Sequence, residues 1–239
     1  LEKTKAILPL ECVIMAGGRG KRLSPLTDKT PKPMLLLGGK PIIEHNIDML
    51  ISYGIKKFHI SVNYKKEKII DYFKDGNHKG IEINYLIEDE FLGTAGALSL
   101  VSNLSTNNLF VMNGDLLTNL DIEMLYSKHL SKKSKITIST VDYKIDIPFA
   151  IFKYHDDLVK SFEEKPTFSF DANAGCYIIT SESLKMIPKN NYFDMTDFMQ
   201  KVLDSGEVVS TEKILGYWID IGNPNDFKRA QEFIDHKNK

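Results

Sequence analysis

Residues 7–20, Ile7-Leu8-Pro9-Leu10-Glu11-Cys12-Val13-Ile14-Met15-Ala16-Gly17-Gly18-Arg19-Gly20, decide the architecture. Residues 7–16 read as a short apolar strand, and the glycines after it stop any regular element. A strand that delivers a glycine loop suits an open α/β sheet, where ligands gather beyond the carboxyl ends of the strands. Working outward, Ile43, Ile47, Leu50 and Ile51 keep helical spacing after Pro41, and Gly54 stands where that helix would end. Residues 58–62 read as a strand, 65–74 as a helix closed by Gly76, and 81–87 as a strand by alternation, which gives βαβαβ. The pattern continues with a helix after Gly93, a buried strand over 109–112, a helix over 121–132 and a strand over 136–141. Strands separated by helices imply a mostly parallel sheet covered on both faces. From 148 to 179 closely spaced strands take over, followed by helices over 196–204 and after Pro224, as an α+β elaboration of the same sheet. With no linker and no internal repeat, 1–239 reads as a single domain, and the start at Leu1 without a methionine suggests a portion of a longer chain.

Composition narrows the functions. Among 239 residues, 31 are Lys or Arg and 32 are Asp or Glu, a formal net charge of −1. That balance argues against coating nucleic acid or an anionic membrane through bulk charge, so any phosphate binding must be local. With 42% hydrophobic and 26% charged residues, the chain has enough apolar material for a packed core. Cys12 and Cys176 stand far apart without a CxxC or Cys/His cluster, which suggests neither a disulfide framework nor structural zinc and fits a reducing cytoplasm. No apolar stretch approaches the roughly 18 residues of a membrane span. The six histidines show no metal-binding spacing.

Local charge gathers in one place. Between positions 19 and 32 the bases Arg19, Lys21, Arg22, Lys29 and Lys32 meet only one acid, Asp28. Gly17, Gly18 and Gly20 carry no Cβ, so backbone N–H groups there can approach phosphate oxygens closely. A solvated basic turn is the competing reading of the same charges. A dinucleotide fingerprint fails because Leu23 stands where its third glycine belongs, and a Walker A loop fails at Met15 and Arg22. The Pro31-Lys32-Pro33-Met34 segment fixes the backbone around one lysine. A held lysine beside a glycine nest suggests a phosphate in transit.

The stretch Gly17-Gly18-x-Gly20-x-Arg22-Leu23-x-Pro25-Leu26-Thr27 followed by Pro31-Lys32-Pro33-Met34 resembles the opening signature of the sugar-1-phosphate nucleotidyltransferases. Asn113-Gly114-Asp115, Glu163-Glu164-Lys165-Pro166, Asn173-Ala174-Gly175 and Trp218-Ile219-Asp220-Ile221-Gly222 are similar to that family's later motifs, in the same order. The matches run from about Val13 to Asn225. The resemblance implies a Rossmann-like three-layer α/β/α fold of the nucleotide-diphospho-sugar transferase type, and a reaction of NTP with a sugar 1-phosphate that yields NDP-sugar and pyrophosphate.

That chemistry joins two polyanions that repel each other, and phosphoryl-type transfer depends mainly on positioning and charge neutralisation. Mg²⁺ is the expected cofactor, usually held by one or two carboxylates plus phosphates and water, and Asp115 and Asp220 can supply those carboxylates. By resemblance, Arg22 holds the triphosphate, Lys32 neutralises the α-phosphate, and Asp115 serves the reaction through the metal. Gly17, Gly18, Gly20, Glu88, Gly93 and Thr94 would bind the nucleotide, with a helix start near Thr94 as the competing reading of that last segment. Lys165 would grip the sugar phosphate, Glu164 a sugar hydroxyl, and Asn173 and Gly175 would line the sugar site. A general base is unnecessary because the attacking phosphate is already ionised.

Glu88 with Leu92-Gly93-Thr94-Ala95-Gly96-Ala97-Leu98 looks closest to members that use mannose 1-phosphate and GTP, so guanylyl transfer to a hexose or hexosamine 1-phosphate is favoured. Uridylyl transfer and a catalytically silent sugar-nucleotide sensor are the alternatives. Lys21 departs from the threonine common in the family, which bears on the fine placing of the triphosphate. The lack of a hexapeptide repeat argues against acetyl transfer. The expected partners are small molecules, with neither nucleic acid nor membrane, and with room for a homo-oligomer.

Overall fold

In the computed structural model, residues 6–237 are described, so the ends of the 1–239 domain reading, 1–5 and 238–239, lie outside them. In chain order the first half comprises β1 (Glu11–Met15), β2 (Leu36–Leu37), β3 (Lys40–Pro41), α1 (Ile42–Ile51), β4 (Lys57–Val62), α2 (Lys66–Phe73), β5 (Glu82–Ile87), β6 (Asn108–Asn113), β7 (Leu116–Thr118) and α3 (Ile122–Lys132). The second half comprises β8 (Ile136–Asp146), β9 (Ile151–His155), β10 (Leu158–Glu163), β11 (Thr167–Thr180), α4 (Met195–Asp204), β12 (Val209–Lys213), β13 (Trp218–Asp220) and α5 (Pro224–Lys237).

Seven strands form one sheet in the order β12-β8-β11-β6-β1-β4-β5. β5, β4, β1 and β6 run parallel, β11 lies antiparallel between β6 and β8, and β12 is parallel to β8. The sheet is therefore mixed and mostly parallel, as the alternation of strand and helix requires. Alternate strand residues feed opposite layers. Cys12 and Ile14 of β1, with Phe58 and Ile60 of β4, face a core that takes Ile47 of α1, Phe73 of α2 and Leu125 of α3. Val13 of β1 and Val111 of β6 face the other way, onto Phe198 and Val202 of α4. Each fully buried phenylalanine, Phe58 and Phe198 among them, contributes roughly 2–3 kcal/mol of transfer free energy. A third cluster packs Ala230 and Ile234 of α5 against Leu23, Leu117 and Ile221, fastening the C-terminal helix under the glycine-loop region.

Several elements differ from the sequence expectation, among them β8, expected over 136–141, which runs on to Asp146. The first strand starts at Glu11 instead of residue 7 because Pro9 has no N–H, the Leu8 N–H goes to Tyr53 O (2.9 Å) and the Leu10 N–H to Leu8 O (2.9 Å). The helix expected after Gly93 is a 3-10 turn at Gly96–Leu100, because the Ala95 and Gly96 N–H groups donate to Phe193 O at 3.0 and 2.9 Å. Those donors are taken by a distant segment before an α-helix can form. α3 begins as its sequence predicts, with Asp121 Oδ1 accepting the Met124 N–H at 3.0 Å as an N-cap. No helix among the described residues is long and apolar enough to cross a membrane.

Candidate active site

β1 and β6 end in register, Met15 opposite Asn113, so the glycine loop and the Gly114-Asp115 turn leave the sheet side by side. The Gly114 N–H donates to Met15 O at 2.9 Å, and a Cβ on Gly114 would meet that same oxygen at 2.9 Å. Only glycine lets these two exits lie so close. Beyond the turn, β7 pairs antiparallel with β13, setting Asp220 opposite Leu116, and the Ile221 N–H donates to Asp115 O at 3.2 Å. Two aspartates remote in sequence thus meet through one short ribbon.

Lys32 joins them. It opens a 3-10 turn, Lys32–Met34, that follows an extended Pro31, and it is only 7% exposed. Its Nζ lies 2.5 Å from Asp115 Oδ2 and 4.0 Å from Asp220 Oδ1. Gly20, at φ +61°, brings the glycine loop onto the lysine stem, with a Cβ there only 3.0 Å from Lys32 Cβ. Thr27 Oγ1 donates to Gly20 O at 2.9 Å and pins the loop from behind. Arg22 sits on the adjoining 3-10 turn, Lys21–Leu23, which the buried Leu23 anchors, and its Nη1 would be 3.8 Å from a Cβ on Gly222. Burial, then the Asp115 charge, raises the Asp220 carboxyl above the usual aspartate range, while Lys32 and Arg22 pull it back.

A cavity of about 250 Å³ is bounded by Gly18, Gly20, Lys21, Arg22, Lys32 and Asp115. A second cavity of about 140 Å³ adjoins it, with Met15, Gly18 and Asp115 lining both, and is closed by Gly17, Glu88, Phe91, Gly93, Thr94 and Asn113. Glu88 is buried, and its Oε2 accepts the Leu92 N–H at 2.9 Å. Burial raises its carboxyl, with the bonds from Leu92 and Ser61 opposing. Its Oε1 fills the space that a Cβ on Gly17 would need, which explains glycine at that position. Glu88 therefore holds the cavity wall in shape. Gly93, at φ +82°, passes within 2.7 Å of Phe193 O if given a Cβ.

Thr94 is tied to α4. Its N–H and Oγ1 donate to Asp194 Oδ1 at 3.0 and 3.1 Å, and the Met195 N–H donates to Thr94 Oγ1 at 2.8 Å. Sequence reasoning missed Asp194, although the capping box it forms with Asp197 is a readable signal. It also missed Phe91, for which no local pattern exists.

Asn173 and Gly175 occupy an irregularity in β11 between Asn173 and Tyr177. The Gly175 N–H donates to Asn173 Oδ1 at 2.9 Å, and at φ +72° a Cβ on Gly175 would stand 2.6 Å from Asn113 Nδ2. Both residues are thus brought beside the second cavity. Glu164 and Lys165 are not: they lie exposed in the turn between β10 and β11 and line neither cavity.

The residues fit a Mg²⁺ ion. Asp115 Oδ1 is buried and has no hydrogen-bond partner among the described residues, while its other oxygen is given to Lys32. A buried carboxylate oxygen left unpaired is destabilising unless something else completes it. No group of three or more His, Cys, Asp or Glu side chains among the described residues forms a metal cage. Two carboxylates beside an anion-binding loop suit a cation that also takes phosphate oxygens and water.

Comparison with known proteins agrees with this geometry. The model of the nucleotidyl transferase family matches residues 11–237. The chain is 32% identical to a D-glycero-alpha-D-manno-heptose 1-phosphate guanylyltransferase from Aneurinibacillus thermoaerophilus, over 95% of this chain and 99% of that protein. It is also 32% identical to a mannose-1-phosphate guanylyltransferase from Mycobacterium tuberculosis, over 92% of this chain and 63% of that one. HddC from Yersinia pseudotuberculosis, solved with GMP-PN, superposes with a TM-score of 0.74 at 29% identity, covering 94% of this chain and 99% of that one. Other curated relatives are longer, and the chain spans about half their length. With the family model covering β1 through α5, the chain belongs to the nucleotidyl transferase family.

Proposed function

We propose that the chain transfers GMP from GTP to a hexose or hexosamine 1-phosphate in the presence of Mg²⁺, releasing pyrophosphate. The observation that carries this reading is Lys32 held between Asp115 and Asp220 on the floor of the glycine-loop cavity. A cation-binding carboxylate pair, a buried ammonium and a backbone nest together suit an α-phosphate under attack. The guanine preference rests on the two guanylyltransferases at 32% identity and on the GMP-PN complex of HddC. The buried, free Cys12 and Cys176 are in keeping with a reducing compartment such as the cytoplasm.

In this reading the N–H groups of Gly17, Gly18 and Gly20 and the Arg22 guanidinium bind the β- and γ-phosphates and stay with the departing pyrophosphate. Lys32 faces the α-phosphate and offsets the charge that builds on its oxygens during attack. Asp115 and Asp220 hold Mg²⁺, which supplies charge neutralisation between the two substrates when bound. The base lies in the second cavity, whose wall Glu88, Gly93 and Thr94 maintain. The sugar lies by Asn173 and Gly175, with Lys165 and Glu164 reaching it from the exposed turn. One phosphate oxygen of the sugar phosphate forms a bond to the α-phosphorus as the α–β bridging bond breaks. No proton needs to move, since the nucleophile is anionic at neutral pH.

The test is pyrophosphate release with Mg²⁺, crossing GTP, UTP, CTP, ATP and dTTP against mannose, glucose, glucosamine, N-acetylglucosamine and N-acetylmuramic acid 1-phosphates. Turnover with GTP and one hexose or hexosamine 1-phosphate is expected. Turnover only with UTP would move the base assignment, and silence across the panel with nucleotide-sugar binding retained would replace the enzyme by a sensor.

A further inference from the structure

Residues 91–96 and 191–195 are laced together beside the second cavity. The Phe193 N–H donates to Leu92 O at 2.9 Å, while Phe193 O accepts the Ala95 and Gly96 N–H groups. Asp194 takes the Thr94 N–H and hydroxyl on Oδ1, and its Oδ2 accepts the Tyr192 hydroxyl at 2.8 Å. The two segments touch so closely that a Cβ on Gly96 would stand 2.7 Å from Asn191 O. Two aromatic side chains project from this clasp. Phe91 and Tyr192 are 47% and 60% exposed, and their rings meet edge to face with centroids 6.1 Å apart. Phe91 stands between two spaces: it lines the second cavity, and it also lines a neighbouring cavity of about 340 Å³ together with Tyr192, Asp89 and Asn191. Tyr192 lines the neighbouring cavity and not the second one, so it backs Phe91 from the side away from the glycine loop.

We propose that Phe91 stacks on the base of the NTP whose binding is proposed above and selects a purine, with Tyr192 as the positioning residue that holds its ring. Core packing does not account for Phe91. Its neighbour Leu92 is buried, at 8% exposed, whereas about half of Phe91 remains in the open and turned to a cavity wall. The second cavity shares Met15, Gly18 and Asp115 with the glycine-loop cavity, so an occupant with phosphates on the glycine loop has its other end beside Phe91. In a nucleotide that end is the base, and every base has a π-face that an aromatic side chain can cover. A purine, with two fused rings, overlaps the phenyl ring more than a pyrimidine does, so stacking strength ranks GTP above UTP. The Tyr192 ring and its bond to Asp194 restrict where Phe91 can turn before the base arrives, and that lowers the ordering cost of binding.

Isothermal titration calorimetry with GTP, UTP and inorganic triphosphate, in Mg²⁺ and without a sugar phosphate, tests the proposal on the parent chain and on Phe91→Leu, Phe91→Trp, Tyr192→Ala and Tyr192→Phe. Leucine keeps apolar bulk and loses the π-face. Phe91→Leu is expected to weaken GTP at least ~10-fold and UTP by ~3-fold or less, with triphosphate unchanged, while Phe91→Trp holds GTP within ~3-fold of the parent. Tyr192→Ala should lower the GTP-to-UTP affinity ratio ~3-fold, and Tyr192→Phe, which keeps the ring, should retain most of it. A ratio that Phe91→Leu leaves unchanged overturns the proposal, and so does a loss of triphosphate binding equal to that of GTP, which marks a damaged loop and no base contact. A ratio unmoved by Tyr192→Ala refutes the positioning role. A parent chain that binds none of the three probes removes the NTP reading itself, whereas binding of all three with an unmoved ratio removes the stacking alone. If a Phe91 variant fails to fold, NMR of the unmodified chain decides: a nuclear Overhauser contact between the guanine C8 proton and the Phe91 ring supports the stack, and its absence at saturating GTP refutes it.

Discussion

Asp115→Asn separates the proposed chemistry from the fold more cleanly than any other single change. The asparagine keeps the shape of the side chain and one oxygen for Lys32 Nζ, which lies 2.5 Å from Asp115 Oδ2. It removes the negative charge that would hold Mg²⁺ in the proposed reaction and replaces one acceptor oxygen with a donor nitrogen. Losing one preorganised group at a site of developing charge costs about 3–4 kcal/mol of transition-state stabilisation, and each ~1.4 kcal/mol is tenfold in rate. Turnover should therefore fall at least ~100-fold. Stability should move less. The variant exchanges a charged hydrogen bond for a neutral one, a loss of about 1–2 kcal/mol, and relieves the like-charge contact that raises the Asp220 carboxyl. At ~2–4 °C per kcal/mol for a chain of this size, the melting temperature should fall by no more than about 8 °C. The assay is initial-rate pyrophosphate release across a Mg²⁺ series, with thermal unfolding of the same preparation. Turnover within about threefold of the parent at saturating Mg²⁺ would refute the metal role, because it lies far above the loss worked out here.

Lys32→Met should leave Asp115 and Asp220 facing each other with no buried cation, costing about 1–3 kcal/mol of stability because both carboxylates keep some solvent. Millimolar Mg²⁺ should then raise the melting temperature of the variant more than that of the parent, as read by differential scanning fluorimetry; an equal response in both would count against a shared cation site. Asp194→Ala removes the acceptor of the Thr94 N–H and hydroxyl together with the cap of α4, so about 1–2 kcal/mol of stability should go. Because Thr94 walls the second cavity, steady-state kinetics should show KM for the NTP rising with kcat nearly kept, and an unchanged KM would separate the clasp from substrate binding. His129 is buried beside Thr137 and Asn108, and burial holds its imidazole down at about 4 against 6.5 when unfolded. The unfolded chain takes up that proton first as pH falls, so the stability the neutral ring supports is complete above pH 6.5 and is lost between 6.5 and about 4, by ~3 kcal/mol in all. Urea unfolding at pH 7.0 and 4.5 should show this loss diminished in His129→Gln, and an equal loss in both proteins would assign it to other groups.

The parallel half of the sheet was legible because local pattern and tertiary role agree there. β4 and β6 fall within a residue of their expected bounds because every side chain in them except the terminal Lys57, Asn108 and Asn113 is apolar or buried, and α3 starts where Asp121 can cap it. Legibility stopped where a distant partner decides. Nothing local to Thr94, Ala95 and Gly96 reveals that Asp194 and Phe193 will take their N–H groups, so a helix is expected where a 3-10 turn forms. The meeting of Asp115 and Asp220 depends on β7 and β13, a pair of three-residue strands too short to carry a period. What pointed to those aspartates was the order of motifs. That order also named Glu164 and Lys165, and these stand exposed in a turn outside both cavities.

The pattern of satisfied and unsatisfied groups reinforces this division. Elsewhere buried polar side chains are paired: Glu11 binds His59 and Ser105, and His129 binds Thr137 and Asn108. Asp115 Oδ1 is the buried side-chain oxygen among the described residues that has no partner, and it lies where the glycine loop, the held lysine and the second aspartate converge. An open, buried carboxylate oxygen at this place suits the cation proposed above. Under that proposal stability and reactivity compete at this oxygen. A substitution that satisfies it internally should stabilise the chain while silencing it, which is the opposite of what a purely structural aspartate would do.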